Sequence, residues 1–116
     1  MDFKNVYAGI MTADITTAAK WYTNLFDRTS DYHPMDNLHE WDLPNGGVLQ
    51  LVQDKDRAGS SSITVLVDDI ETVKKGLDKK DITVEQQSTS EVAKTATILD
   101  PENNRITFAQ NLQGRQ

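Results

Sequence analysis

The side chains with the greatest capacity for chemistry are the two histidines, His33 and His39, which lie six residues apart with Glu40 and Asp42 nearby. An imidazole binds divalent metals and exchanges protons near neutral pH. A metal site here would combine both histidines with a carboxylate from Glu40 or Asp42, but the spacing matches no established ligand pattern. The pattern favours a surface or pocket-rim position, where either histidine remains a candidate acid or base.

Other reactive groups are scarce. The chain has no cysteine, which excludes disulfide bonds, thiol nucleophiles and cysteine-bound zinc. It also lacks a glycine-rich phosphate loop, a nucleophile elbow and a zinc-binding helix motif. The residues for a Ser-His-Asp triad are present, but no spacing supports one. The sequence therefore points to no standard catalytic class.

Length, composition and charge limit the kinds of protein and of binding partner that we expect. The 116 residues are about one domain in length, and 37% of them are hydrophobic. The first 20 residues contain no apolar run long enough for a signal peptide or membrane span, so we expect a soluble cytoplasmic protein. The net charge of −6 disfavours nucleic acid as a partner. An acidic surface instead favours cationic small molecules.

The sequence contains two copies of the secondary-structure elements that would position a functional site. Residues 9–22 (GIMTADITTAAKWY) match residues 64–77 (TVLVDDIETVKKGL) at an offset of 55, and both copies contain Asp-Ile-x-Thr. In each copy an apolar strand precedes a helix capped by an aspartate. Asp68, followed three residues later by Glu71, resembles a capping box. A later pair of turns aligns Pro44 with Pro101 at an offset of 57. The chain is therefore an internal duplication.

Each half reads strand, helix, strand, strand, strand, so the predicted class is α+β. The first βαβββ module covers residues 1–53, a linker covers 54–61, and the second module covers 62–116. We expect the two modules to form one structural domain. The predicted strands are residues 7–12, 29–33, 39–43, 48–52, 63–67, 83–87, 93–99 and 105–109.

This duplication resembles the vicinal oxygen chelate superfamily, which includes glyoxalase I, bleomycin-resistance proteins and extradiol dioxygenases. The resemblance covers the whole chain, and its most specific part is the closing sequence DPENN at residues 100–104. The superfamily usually has glycine where this chain has Asn103. Asparagine is the next best residue for a left-handed backbone, so we expect Asn103 to have positive φ. The resemblance implies a curled mixed sheet around a cleft, with the helices outside.

The resemblance also identifies four positions for metal ligands, one on the first and one on the last strand of each module. In this chain they are occupied by Tyr7, Gln50, Ser62 and Thr107. None is a histidine or a carboxylate, and all are neutral at pH 7. A divalent ion needs imidazole nitrogens or anionic oxygens to replace its hydration shell and offset its charge. We therefore expect neither a metal nor another cofactor, and glyoxalase or dioxygenase chemistry does not carry over.

Trp41 has two alternative positions. His39, Trp41 and Leu43 lie on the same side of a predicted strand. If that side faces the cleft, Trp41 and His39 lie near Gln50 and give a flat ligand a stacking surface. If it faces the helix, Trp41 belongs to the core. The hairpin register across residues 44–47 allows either arrangement.

In the second module, alternation directs Ser62 and Thr107 into the cleft and turns Ile106 and Phe108 towards the helix. Arg105 alternates with Thr107. It either enters the mouth of the cleft, where it would hold an anionic ligand, or lies exposed to solvent. The predicted ligand-binding set is Tyr7, His39, Trp41, Gln50, Ser62, Arg105 and Thr107.

The favoured interpretation is a metal-free protein that binds a cationic or aromatic small molecule in the cleft between the modules. One alternative is a related enzyme that uses an atypical metal site, or metal-free acid-base chemistry with Tyr7 or His39. Another is a structural partner whose cleft is filled by side chains. The linker length permits exchange of modules between chains, and we expect a two-fold homodimer.

Overall fold

A computed structural model describes residues 1–114, and it contains two βαβββ modules of the predicted α+β class. The elements of the first module are β1 (Tyr7–Thr12), α1 (Ile15–Phe26), β2 (Tyr32–Met35), β3 (Leu38–Asp42) and β4 (Val48–Gln53). Those of the second are β5 (Ser62–Leu66), α2 (Ile70–Lys79), β6 (Gln86–Thr89), β7 (Ala93–Leu99) and β8 (Arg105–Asn111). Positions 115 and 116, assigned from sequence to the second module, lie outside the described residues.

Each module has its own four-stranded mixed sheet. The strand order is β1-β4-β3-β2 in the first and β5-β8-β7-β6 in the second. The first and last strands of each module run parallel, and the other neighbours are antiparallel. The chain divides into two compact units, and the second begins at Ser62. Within the described residues, neither helix has the length and hydropathy needed to cross a membrane.

Both helices begin with the same capping arrangement. Asp14 accepts a hydrogen bond from the Thr17 hydroxyl at 2.8 Å, and Asp69 accepts one from the Thr72 hydroxyl at 2.9 Å. Each aspartate also accepts from a backbone N–H of the first turn. An aspartate cap of this kind stabilises a helix by about 1 kcal/mol. The predicted capping box at Asp68 is wrong, because the cap of α2 is the next residue, Asp69.

Each helix packs its apolar stripe on one face of its own sheet. The buried residues of the first module include Ile10, Ile15, Tyr22, Leu25, Trp41, Leu49 and Leu51. Those of the second include Ile63, Ile70, Leu77, Ala96, Ile98, Ile106 and Phe108. The predicted alternation on the last strands is confirmed, because Gln50 and Thr107 are partly exposed between buried neighbours.

The strands that follow the helices begin about three residues later than predicted. β2 begins at Tyr32 rather than residue 29 and includes Pro34, and β6 begins at Gln86 rather than residue 83. Both are short strands at a sheet edge, and β2 also has an irregular register, so their local sequence constrains them weakly. The segment between the modules contains a 3₁₀ turn at Lys55–Arg57, capped by Asp54.

The turn before the last strand has the same geometry in both modules. Leu43 N–H donates to the carbonyl of Gly47 at 2.8 Å, and Asp100 N–H donates to that of Asn104 at 2.9 Å. The backbone is left-handed at Gly46, with φ 98°, and at Asn103, with φ 74°. The prediction of positive φ at Asn103 is therefore confirmed.

Candidate functional site

The face of each sheet opposite its helix carries the four inferred metal-ligand positions, two in each module. We call it the helix-free face. In the first module the strand register places Gly9, Gln50 and Glu40 side by side on this face. Tyr7 and Asp42 both pair with Val48, one step along the same face. Directly paired residues point to the same side of a sheet. Glu40 and Asp42 therefore join Tyr7 and Gln50 on one surface.

Gln50 is held by a hydrogen bond from its amide Nε2 to Oε2 of Glu40, at 2.8 Å. A carboxylate only accepts hydrogen bonds, so the amide must present its NH₂ group to Glu40. This fixes which end of the Gln50 amide faces Glu40 and turns the amide carbonyl away. The amide carbonyl of Gln50 is therefore left as a hydrogen-bond acceptor.

A pocket of about 530 Å³ lies at the end of this face, beside the turn between β3 and β4. Its lining includes Tyr7, Tyr32, Glu40, Asp42 and Val48, together with residues of the turn. Tyr32 reaches this face because it pairs with Glu40. All the lining residues belong to the first module, and no lysine or arginine is among them. The pocket thus combines two carboxylates with two phenol rings.

Trp41 occupies the core, which is the second of its two predicted positions. It pairs with Leu49 and is only 1% exposed. Its ring lies against Tyr22 and Phe26, with centroids 6.3 and 5.7 Å away. Its indole N–H donates to the backbone carbonyl of Arg28 at 3.0 Å. Its assignment to the ligand-binding set is corrected, because the β3–β4 register turns it towards α1.

His39 shares the helix side with Trp41, because it pairs with Leu51. It is therefore corrected in the same way: it does not lie on the face that carries Gln50. Its ring stacks on that of His33, with centroids 3.9 Å apart and planes 11° from parallel. Its Nδ1 lies 2.7 Å from the hydroxyl of Ser30. Burial, and secondarily the charge of His33, lowers the pKa of His39 below its usual value.

The structure does not assemble the metal site considered for the two histidines. Ring nitrogens bind ions in the plane of the ring, and two parallel stacked rings do not direct their nitrogens at a common point. His33 Nδ1 also donates to the carbonyl of Leu38 at 2.9 Å. Glu40 and Asp42 project from the opposite side of β3. The four side chains therefore belong to two different faces.

In the second module, Ser62, Arg105 and Thr107 all lie on the helix-free face. Ser62 pairs with Arg105, and Thr107 pairs with Thr97 on β7. The hydroxyls of Thr97 and Thr107 lie 2.9 Å apart. Arg105 is exposed, and its guanidinium donates to the side-chain carbonyl of Gln86. The polar groups on this face are therefore hydroxyls, amides and one guanidinium, and the exposed side chains of Leu66 and Leu99 lie beside them.

The four inferred ligand positions do not fit a divalent metal. They supply a phenol, an amide and two hydroxyls, and the Gln50 amide nitrogen is already bonded to Glu40. Among residues 1–114, no group of three His, Cys, Asp or Glu side chains is arranged to hold an ion. Neutral donors of this kind neither replace a hydration shell efficiently nor offset a double positive charge.

Sequence reasoning missed Tyr32 as a pocket residue, and it considered Glu40 and Asp42 only as metal ligands. Alternation along β3 places Glu40 and Asp42 together, opposite His39 and Trp41. That signal was present in the sequence. The register of β3 against β4 was needed to tell which pair shares a face with Gln50.

No protein-family model matches the chain, and no curated protein matches it. Several solved structures do match the chain. A glyoxalase/bleomycin resistance protein from Catenulispora acidiphila is 26% identical with a TM-score of 0.82, over 91% of this chain and 96% of that one. A lactoylglutathione lyase from Agrobacterium tumefaciens is 15% identical with a TM-score of 0.81, over 97% of both chains.

A glyoxalase/bleomycin resistance protein/dioxygenase from Nocardioides is 15% identical with a TM-score of 0.74, over 100% of this chain and 88% of that one. All three matches extend over nearly the whole of both chains. The duplicated architecture is therefore common to this chain and to proteins with these names.

Proposed function

We propose that the protein binds a small organic molecule on its helix-free faces without using a metal ion. The proposal starts from the vicinal oxygen chelate fold, which these neighbours confirm. The observation that carries the proposal is the set of side chains at the four inferred ligand positions, Tyr7, Gln50, Ser62 and Thr107. All four are neutral. The scaffold is retained, whereas the donors that a divalent metal needs are not.

The first module supports binding in its own right. Its pocket of about 530 Å³ lies within the usual range for small-molecule sites. The pocket has aromatic walls from Tyr7 and Tyr32 and polar groups from Glu40 and Asp42. Small-molecule sites usually combine apolar and aromatic surface with a few oriented polar groups, and this pocket is open and more polar than that. The fixed amide of Gln50 adds a directional acceptor on the same face.

Native mass spectrometry of protein purified without chelator tests this proposal. We expect a species that carries retained organic molecules or none, with no stoichiometric zinc, nickel, iron or manganese. Adding each metal in equimolar amount should leave the spectrum unchanged. The proposal fails if one metal per subunit is bound and is lost in the Gln50→Ala or Thr107→Ala variant. The same spectrum reports subunit number, for which we expect two.

A further inference from the structure

We infer that the pocket of the first module selects organic cations, such as amidinium or ammonium compounds that carry a flat group. The inference rests on the proposed function and specifies the class of ligand. It concerns the surface formed by Tyr7, Tyr32, Glu40 and Asp42, beside the turn between β3 and β4. Each of these residues lies on the helix-free face of the first sheet.

The first argument is charge. Glu40 and Asp42 lie two residues apart on β3 and project from the same side, and both line the pocket. Arg28, a basic residue that contacts the Asp42 backbone, is not part of the lining. Its guanidinium donates to the carboxylate of Asp31 and to the backbone carbonyl of Asp42, rather than to the Asp42 carboxylate. The pocket lining therefore carries two carboxylates and no cationic side chain, and the Arg28 guanidinium outside the lining offsets part of the Asp42 charge.

The second argument is the direction of the Gln50 amide. Because Glu40 accepts from its NH₂ group, the Gln50 carbonyl remains as the acceptor on this face. Carboxylates, amide carbonyl and phenol oxygens together make a surface with many hydrogen-bond acceptors. A ligand that donates several N–H bonds matches this surface, whereas a carboxylate or phosphate does not.

The third argument is the aromatic wall. Tyr7 is 52% exposed and Tyr32 is 58% exposed, and both line the pocket. The face of a phenol ring attracts a cation and stacks on a flat group. These rings therefore favour a cation attached to a planar body.

Three molecules of nearly the same shape separate charge from size: benzamidine, which is cationic at pH 7, benzamide, which is neutral, and benzoate, which is anionic. Each is titrated into ¹⁵N-labelled protein, and amide shifts are mapped by NMR. We expect benzamidine to shift the amides of pocket residues saturably. Its dissociation constant should be about five- to tenfold lower than that of benzamide, as expected for partly screened charges. Benzoate should cause no shift in the pocket.

Two variants locate the preference. Glu40→Gln removes a charge but keeps an acceptor for the Gln50 amide, and Asp42→Asn removes the second charge. Each should reduce the preference for benzamidine over benzamide, and the double variant should abolish it. Glu91→Gln is the matched control, because it makes the same charge change on an exposed residue of the second module. It should leave the preference unchanged.

The inference is overturned if benzamide or benzoate binds the pocket as tightly as benzamidine, or if none of the three binds there. It is also overturned if the Glu40 and Asp42 variants keep the preference. Saturable binding of neutral or anionic molecules on the helix-free face, without metal, would leave the proposed function intact. A stoichiometric metal at the four inferred positions would instead defeat the proposed function, whichever of the three molecules binds.

Discussion

Gln53 and Gln110 make the same hydrogen bond in the two modules. The side-chain carbonyl of Gln53 accepts from the backbone N–H of Ile15 at 3.1 Å, and that of Gln110 accepts from the N–H of Ile70 at 2.9 Å. Each bond joins the last strand of a module to the first residue of its helix. The first N–H groups of a helix have no partner within the helix, so these glutamines complete the cap.

Replacing either glutamine by methionine, which has a similar shape but no acceptor, should destabilise the protein by about 1 kcal/mol. Gln53→Glu should retain the stability, because a carboxylate also accepts and is favourable at a helix N-terminus. Urea unfolding of Gln53→Met, Gln110→Met and Gln53→Glu measures the three effects. Equal midpoints for Gln53→Met and the unsubstituted protein would show that the bond contributes nothing.

Trp41→Ala should reduce the free energy of unfolding by about 3–5 kcal/mol, as for other large core residues. The substitution removes a fully buried ring and leaves the Arg28 carbonyl without its indole donor. Trp21→Ala is the control, because Trp21 is a partly exposed tryptophan on the neighbouring helix. Its effect should be markedly smaller. Chemical denaturation measures both, and an equal loss would contradict the core position of Trp41.

Asn103→Gly should leave stability unchanged or slightly improved, whereas Asn103→Ala should cost about 1 kcal/mol. The reason is the left-handed backbone at this position, with φ 74°. Gly46→Ala tests the matching turn, where an added Cβ would meet no atom within 4 Å. Any loss there reports backbone strain rather than collision. Thermal unfolding of the three variants checks the prediction, which fails if Asn103→Ala matches Asn103→Gly.

His33→Gln should raise the pKa of His39 part of the way towards its usual value. Burial, the larger cause of the lowered pKa, remains in the variant, whereas the charge of His33 is removed. Since the folded state favours neutral His39, this group contributes stability above pH 6.5, and the contribution is lost as pH falls towards the lowered pKa. NMR titration of the imidazole C–H signal measures the pKa. An unchanged value would show that His33 has no electrostatic effect on His39.

The duplication made much of the architecture predictable. The bounds of β1 and β7 agree with the prediction, because their apolar periodicity is strong and their ends carry clear turn signals. The left-handed turn residue Asn103 was also predictable, because few residue types tolerate positive φ. These two details depend on local sequence alone, whereas the order of elements was predictable from the duplication.

The features that could not be predicted from the sequence depend on contacts between residues far apart in the chain. The register between β3 and β4, in which Trp41 pairs with Leu49, decides which side of β3 faces α1. This register turns His39 and Trp41 towards α1. A shift of one residue would instead turn Glu40 and Asp42 towards it. The helix cap was misplaced by one residue because Asp68 and Asp69 are adjacent and chemically identical. The glutamine caps involve residues about 40 positions apart and have no local signature.

Alternation along β3 and along β4 separates core residues from residues of the helix-free face. The core contains Trp41, Leu49 and Leu51. The side chains of Glu40 and Gln50 project from the opposite face. Substitutions at positions 40 and 50 should therefore change the charge and hydrogen-bonding groups of this face, while most of the variants still fold. The residues that set the chemistry of the helix-free face are therefore separate from those that stabilise the fold.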